Sequence, residues 1–232
     1  YGYRALRIKE SLGDSLGVAK TIGNLGAIYI DNSNYTKALE CFQTAAKITQ
    51  HSADSEKYSI WMGSIANSYL KLYQLKKAIY YYNISIKESK KNNNITMLIN
   101  ALGNLGSAYL IIGDSLANPI RKDSFFLATE NLYKEKMNLC KELSIRDEYL
   151  STLGNLGQLK LKQKNYIESE KLLLQAVSEC QSLHLTEFER DDHEYLYNLY
   201  MAKKDFEKAV FHFRRFISLR DTLKNDDITR SI

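Results

Sequence analysis

Gly23-Asn24-Leu25-Gly26-Ala27-Ile28-Tyr29 decides the reading of this chain, because the stretch returns. Gly63-Ser64-Ile65-Ala66 leads to Tyr69 and Gly103-Asn104-Leu105-Gly106 leads to Tyr109, so three successive tyrosines stand 40 residues apart. A fourth copy, Gly154-Asn155-Leu156-Gly157, carries Lys160 in the tyrosine slot, and Tyr200 marks a fifth 40 residues further on. Self-similarity at a period of roughly 20–50 residues is the signature of stacked structural repeats. Such a stack exposes a long continuous surface in place of a closed pocket, which inclines function toward binding.

The second half of each unit supports the first. Ala38, Ala78 and Ala209 each precede an aromatic residue at i+4, namely Phe42, Tyr82 and Phe213, while Ala128 and Ser169 hold the same slot before Leu132 and Leu173. A small residue and a bulky apolar one at that spacing share a helix face, and the small one lets a neighbouring helix approach. Asn32-Ser33-Asn34, Lys164-Asn165 and Lys204-Asp205 stand between the halves. These residue types end one helix and N-cap the next.

The pattern Leu-Gly-x-x-Tyr followed by Ala-x-x-x-Phe resembles the tetratricopeptide repeat family along the whole chain. The Gly-Asn-Leu-Gly core and the long period are similar to the subtype in Pins-type scaffolds, kinesin light chains and bacterial signalling proteins. The resemblance implies an all-α, right-handed α-solenoid of about eleven helices without strands. It divides one solenoid, 1–232, into a half repeat at 1–14 and repeats at 15–54, 55–94, 95–145, 146–185 and 186–224, with 225–232 opening a further helix. Ten extra residues between Tyr109 and Phe125 place an insertion at 113–124, around the single proline, Pro119; a tolerated loop or a lengthened helix is the plainer reading of it. Ala5 and Ile8 match Ala45 and Ile48, so the chain is expected to start inside a helix, as a fragment of a larger protein.

Composition narrows the classes. The net charge of +5 is dispersed, with no clustered basic stripe of the kind nucleic acid requires, so no directly bound nucleic acid is expected. No run approaches 18 apolar residues, which predicts no membrane span in this segment. Cys41, Cys140 and Cys180 are isolated, against a disulfide framework or zinc site. Gly13-Asp14-Ser15-Leu16 and Gly113-Asp114-Ser115-Leu116 spell a hydrolase signature. They lie between helices without an Asp-x-x-His element, and read as a glycine helix end followed by an Asp/Ser cap. His51, His184, His193 and His212 form no ligand spacing, and Asp226-Asp227 reads as a helix cap. No catalytic residue, metal or cofactor is expected, and the chain is read as a non-enzyme. Tyr80-Tyr81-Tyr82 could stack bases or a proline-rich ligand, although core and edge packing is commoner at helical spacing.

In the resembled family the first helix of each unit lines a concave groove. At about 100° per residue, Leu25, Gly26 and Tyr29 share the packing face, and Lys20, Gly23 and Asn24 fall on the groove face. The expected peptide-binding set is Asn24, Asn67, Asn104, Asn155 and Asn198 with Lys20, Leu70, Leu110, Gln158 and Leu161. A side-chain amide donates and accepts, so it can pair with both backbone groups of an extended peptide. The alternative is that Asn24, Asn104 and Asn155 belong to the repeat's own packing. The lysine slot of family members that clamp a C-terminal carboxylate holds Gly23, Gly63, Gly103 and Gly154 here, so that clamp is absent. Phe216-x-x-x-Arg220-Asp221-Thr222-Leu223 resembles the last tetratricopeptide helix of Bacteroidetes regulators. The implied function is protein or peptide binding in the sensory part of a bacterial signalling or transcription-regulatory protein. A cytoplasmic peptide-pheromone receptor or an assembly scaffold is the alternative. The compartment follows the context: periplasmic in a membrane-anchored sensor, cytoplasmic otherwise.

Overall fold

The computed structural model describes residues 9, 11–50 and 55–231, with side chains except at 55–56 and 226–231. Among them are ten helices and no strand: α1 Ser15–Asp31, α2 Tyr35–Thr49, α3 Ser55–Lys71, α4 Leu75–Lys91, α5 Ile95–Ser115, α6 Pro119–Glu142, α7 Arg146–Lys162, α8 Tyr166–Ser182, α9 Thr186–Lys203 and α10 Phe206–Ser231. The expected half repeat at 1–14 and His51 lie largely or wholly outside the described residues. The chain packs as two compact units, Tyr1–Ile112 and Gly113–Ile232. In the first, α1 packs on α2, α2 on α3 and α3 on α4; in the second, the run continues from α6 to α10, and α7 also touches α9.

The turns inside the hairpins share one construction. Ser33, Tyr73, Lys164 and Lys204 take left-handed φ values of 55°, 55°, 60° and 60°. The next residue, at Asn34, Gln74, Asn165 and Asp205, donates its N–H to the carbonyl of Tyr29, Tyr69, Lys160 and Tyr200 at 2.7–2.9 Å. This is the Schellman closure, which satisfies orphan carbonyls at the end of a helix. Asn34, Asn165 and Asp205 then cap the second helix by accepting from Lys37, Glu168 and Lys208 N–H, each at 3.3 Å. In these four hairpins the tyrosine slot, held by Lys160 in one, marks the carbonyl on which the turn closes, whereas α5 runs past Tyr109 to Ser115.

Packing follows the small-and-bulky alternation. Ala38, Ala78 and Ser169 are fully buried, and Gly26 sits so close to Phe42 that an added Cβ would stand 2.7 Å from its ring. Gly157 meets Leu173 in the same way, also at 2.7 Å. Phe213 departs from expectation at 44% exposure, because among the described residues α10 has neighbours on one side only. Lys160 explains its own irregularity. It is 8% exposed and reaches Glu130 of α6 at 2.9 Å, much as Tyr200 donates to Glu170 of α8 at 2.8 Å and Tyr69 accepts from Gln43 of α2 at 3.3 Å. In each case the slot's polar tip ties a first helix to the second helix of the unit before it.

Three readings of helix ends are corrected. Gly13, at φ 68°, does end a turn, but Asp14 is the cap, accepting from Gly17 N–H at 2.8 Å, and Ser15 is already helical. Gly113-Asp114-Ser115 is the last part of α5, and Asn118 caps the following helix ahead of Pro119. Most of the 113–124 insertion is thus added helix. At the other end, α10 runs unbroken through Lys224 to Ser231, so no new helix opens at 225 and Asp226-Asp227 fall inside a helix. Helix α5 is long and apolar enough to cross a membrane by composition, with a mean hydropathy of 1.6. Its apolar residues serve packing, since Leu98, Ile99, Leu102 and Leu105 are all buried.

Candidate functional site

The first helix of a repeat presents its residues in a fixed order, and the slot two residues before the leading glycine position is buried in all five units. Thr21, Trp61, Ala101, Thr152 and Asp192 occupy it at 8%, 7%, 1%, 0% and 3% exposure. Twice it meets the glycine of the preceding repeat, at Trp61 and at Asp192. A Cβ on Gly23 would lie 2.1 Å from the Trp61 ring, and one on Gly154 would lie 1.9 Å from Asp192 Oδ1. Gly63 faces Met97 Sδ at 2.8 Å instead, opposite the small Ala101. The side chains of the next first helix take the room beside these three glycines.

In the first unit Lys20, Asn24 and Asn67 are exposed and Leu70 is half-buried. Asn104 Nδ2 donates to Asn67 Oδ1 at 3.0 Å, and the buried Tyr82 hydroxyl donates to the same oxygen. Burial pushes that phenol up. Two of the expected amides therefore bond to one another, across successive repeats, and hold a row. Leu110 is 6% exposed and belongs to the core, which corrects its assignment as a ligand contact. The physical reason is α5 itself, whose apolar side chains extend onto the face assigned to the groove.

In the second unit Asn198 is exposed, Gln158 and Asn155 are half-buried, and Tyr195 hydroxyl donates to Asn155 Oδ1 at 3.4 Å. Leu161 packs against the cluster of Leu173, Leu196 and Leu199, so it offers a ligand only part of its surface. Tyr195 follows the fifth unit's glycine position, where Asn24, Asn104 and Asn155 stand in theirs, and angular arithmetic puts it on the groove face as well.

Beneath this face lies a polar cluster that the sequence reading treated as scattered charges. Asp192 is buried, pushed up to about 8 chiefly by burial and then by the Asp191 charge, and Cys180 Sγ–H points at its Oδ2 from 3.9 Å. His193 and His212 bring their Nδ1 atoms to 2.8 Å, both buried, and burial with the neighbouring ring holds His212 down at about 4. Glu189 takes hydrogen bonds from Gln181 at 2.9 Å and Arg215 at 3.0 Å. These groups tie α9 to α8 and α10. Among the described residues no three His, Cys, Asp or Glu side chains are arranged to hold a metal ion. Cys140 and Cys180 are buried thiols as expected, and Cys41 is half-buried.

Two tetratricopeptide repeat family models match the sequence, over residues 3–87 and 150–194. No curated protein matches it at the sequence level. Among solved structures, BtubC from P. vanneervenii is similar at a TM-score of 0.75 and 18% identity, over 96% of this chain and 89% of its own. A Rap protein complexed with competence and sporulation factor gives 0.74 at 12% identity, over 91% of this chain and 56% of its own. Kinesin-light-chain repeats from Podosopora anserina give 0.66 at 15% identity, over 89% and 96%. The fold is the all-α solenoid of tetratricopeptide hairpins.

Proposed function

We propose that this chain is a protein- or peptide-binding module that takes an extended segment along the first helices of its repeats. It would serve as the sensory or regulatory region of a larger bacterial signalling or transcription-regulatory protein. The observation that carries the reading is the amide row: Asn24, Asn67 and Asn104 in the first unit, Asn155 and Asn198 in the second, on helices whose other faces are packed. The Asn67–Asn104 bond presets part of that row, which lowers the ordering cost a ligand must meet. Leu70, Gln158 and the accessible edge of Leu161 flank it. A second reading, a cytoplasmic peptide-pheromone receptor or an assembly scaffold, is favoured by the Rap structure, which holds a competence and sporulation factor.

Selection from an immobilised library of extended peptides tests the proposal. Asn24→Ala and Asn198→Ala change exposed amides and should weaken a selected peptide by about 0.5–1.5 kcal/mol each with the melting temperature unchanged. Asn104→Ala together with Asn155→Ala should weaken it further. A double variant that melts earlier yet binds as before would assign the amides to packing and end the proposal.

A further inference from the structure

On the opposite side of the first unit, between the second helices α2 and α4, lies a cleft of about 400 Å³. Its floor is Met62 and Ile65 of α3, both buried, and its walls carry Gln43 and Gln50 from α2 and Tyr80 and Tyr81 from α4. Tyr58 lines it from α3, and Lys47 is the one cation among the described residues that line it. The first-helix amide row contributes nothing to it.

The aromatic walls are fixed before any ligand arrives. Tyr81 stacks on Tyr69 with ring centroids 5.4 Å apart, and Gln43 Nε2 donates to the Tyr69 hydroxyl at 3.3 Å. Lys77 sits 5.1 Å from the Tyr69 ring centre on its other approach. Tyr80 meets Tyr81 edge to face, at 5.1 Å and 85°, so two ring planes stand nearly at right angles. Tyr80 is 62% exposed, so its ring is open to a ligand at the mouth of the cleft. Tyr82, the third of the run, points into the core and is fully buried.

We infer that this cleft binds a proline-rich segment in the polyproline II conformation. Size is the first argument. At about 400 Å³ the cleft is near the low end of ligand sites, roughly 300–1,000 Å³, and cannot seat a helix about 10–12 Å across. A polyproline helix has about three residues per turn and a rise of about 3.1 Å, so a single turn presents its rings to the notch between Tyr80 and Tyr81. Hydrogen bonding is the second. Proline contributes a carbonyl and no N–H, so such a segment asks for donors only. Gln43, Gln50, Tyr58, Tyr80 and Lys47 all donate, and no side chain lining the cleft among the described residues is a carboxylate. Flat aromatic walls with scattered donors are what proline-rich ligands dock against in general. Lys47 adds a preference for an acidic residue flanking the prolines. A single lysine without a basic stripe is too little charge to follow a nucleic-acid backbone.

Titration calorimetry with a polyproline decapeptide, beside a Gly-Ser decapeptide and an oligothymidine, tests the inference. Binding of polyproline alone is expected. Tyr80→Ala should weaken it by at least about tenfold, as removal of a central aromatic anchor does. Tyr80→Phe keeps the ring and should bind within about threefold of the parent. Circular dichroism confirms that each variant stays folded, and Ile167→Ala, an exposed residue of α8 that belongs to neither site, should leave polyproline binding unchanged. Equal heats for polyproline and Gly-Ser, tighter binding of oligothymidine, indifference to Tyr80→Ala, or loss through Ile167→Ala would each overturn the inference.

Discussion

Asp192→Asn replaces the buried acid with an uncharged side chain of nearly the same shape, and it should remove a specific pH dependence of stability. In the folded chain Asp192 is 3% exposed and titrates at about 8; unfolded, it titrates near 3.8. Between those values the folded chain holds a proton that the unfolded chain has released. Stability therefore falls as pH rises, by about 1.4 kcal/mol per pH unit for one such group. His212 acts in the opposite sense. Its ring titrates at about 4 folded and 6.5 unfolded, so over that range the unfolded chain holds the extra proton and stability rises with pH. His193, lowered by burial too, acts with His212, so both histidines oppose the Asp192 slope below about pH 6.5 and only the Asp192 slope continues to about 8. The unsubstituted chain should lose about 1.5–2 kcal/mol between pH 6.5 and pH 8. Urea unfolding followed by circular dichroism at both pH values measures that loss, with Trp61 fluorescence reporting the first unit as an internal control. In Asp192→Asn the decline should disappear while any fall below pH 6.5 remains. A decline that survives the substitution would refute the reasoning.

Three further outcomes follow from other contacts. Tyr73→Gly relieves a left-handed residue that is 81% exposed and should raise stability by about 1 kcal/mol in urea unfolding, the backbone gain exceeding glycine's extra freedom in the unfolded chain. Lys160→Ala removes a buried partner of Glu130 and should cost about 3 kcal/mol, the low end for such a break because Lys134 still pairs with Glu130 at 2.7 Å. Burial would raise Glu130, but Lys134 and Lys160 outweigh it and hold it below its ordinary value, so the stability it contributes should be lost as pH falls through the acid range and less so in the variant. Gly23→Ala drives a methyl group into the Trp61 ring and should cost about 1–3 kcal/mol, with a shift in Trp61 emission; an unchanged spectrum and unfolding midpoint would mean that this contact is not tight.

The sequence made the hairpins legible because their chemistry is local and periodic. Tyr29, Tyr69 and Tyr200 announce the helix ends, and Asn34, Asn165 and Asp205 announce the next starts. What closes the turns was hidden, since left-handed φ falls on Ser33, Tyr73, Lys164 and Lys204, none of them glycine. The face of each first helix was only half legible. Angular arithmetic separates two sides, yet it cannot say which residue of the neighbouring repeat fills a glycine's space. Gly23 falls on the groove face by that arithmetic, yet the Trp61 ring covers it. Aligning the slot two before the glycine would have helped, for Asp192 and Trp61 hold one position and an acid there must be buried. The His193–His212 contact joins residues on different helices with no shared period, and spacing carries no trace of it.

The fit between a glycine and a side chain of the next first helix gives each of three junctions its own key. Gly23 is cut for the indole of Trp61, Gly154 for the carboxylate of Asp192, and Gly63 for the soft end of Met97. Identical repeats would be interchangeable. These are not. Exchanging the second and fifth units would set an indole where a small acid now stands and strand a carboxylate against a surface shaped for a ring, so the order of the repeats has become part of the fold's specification.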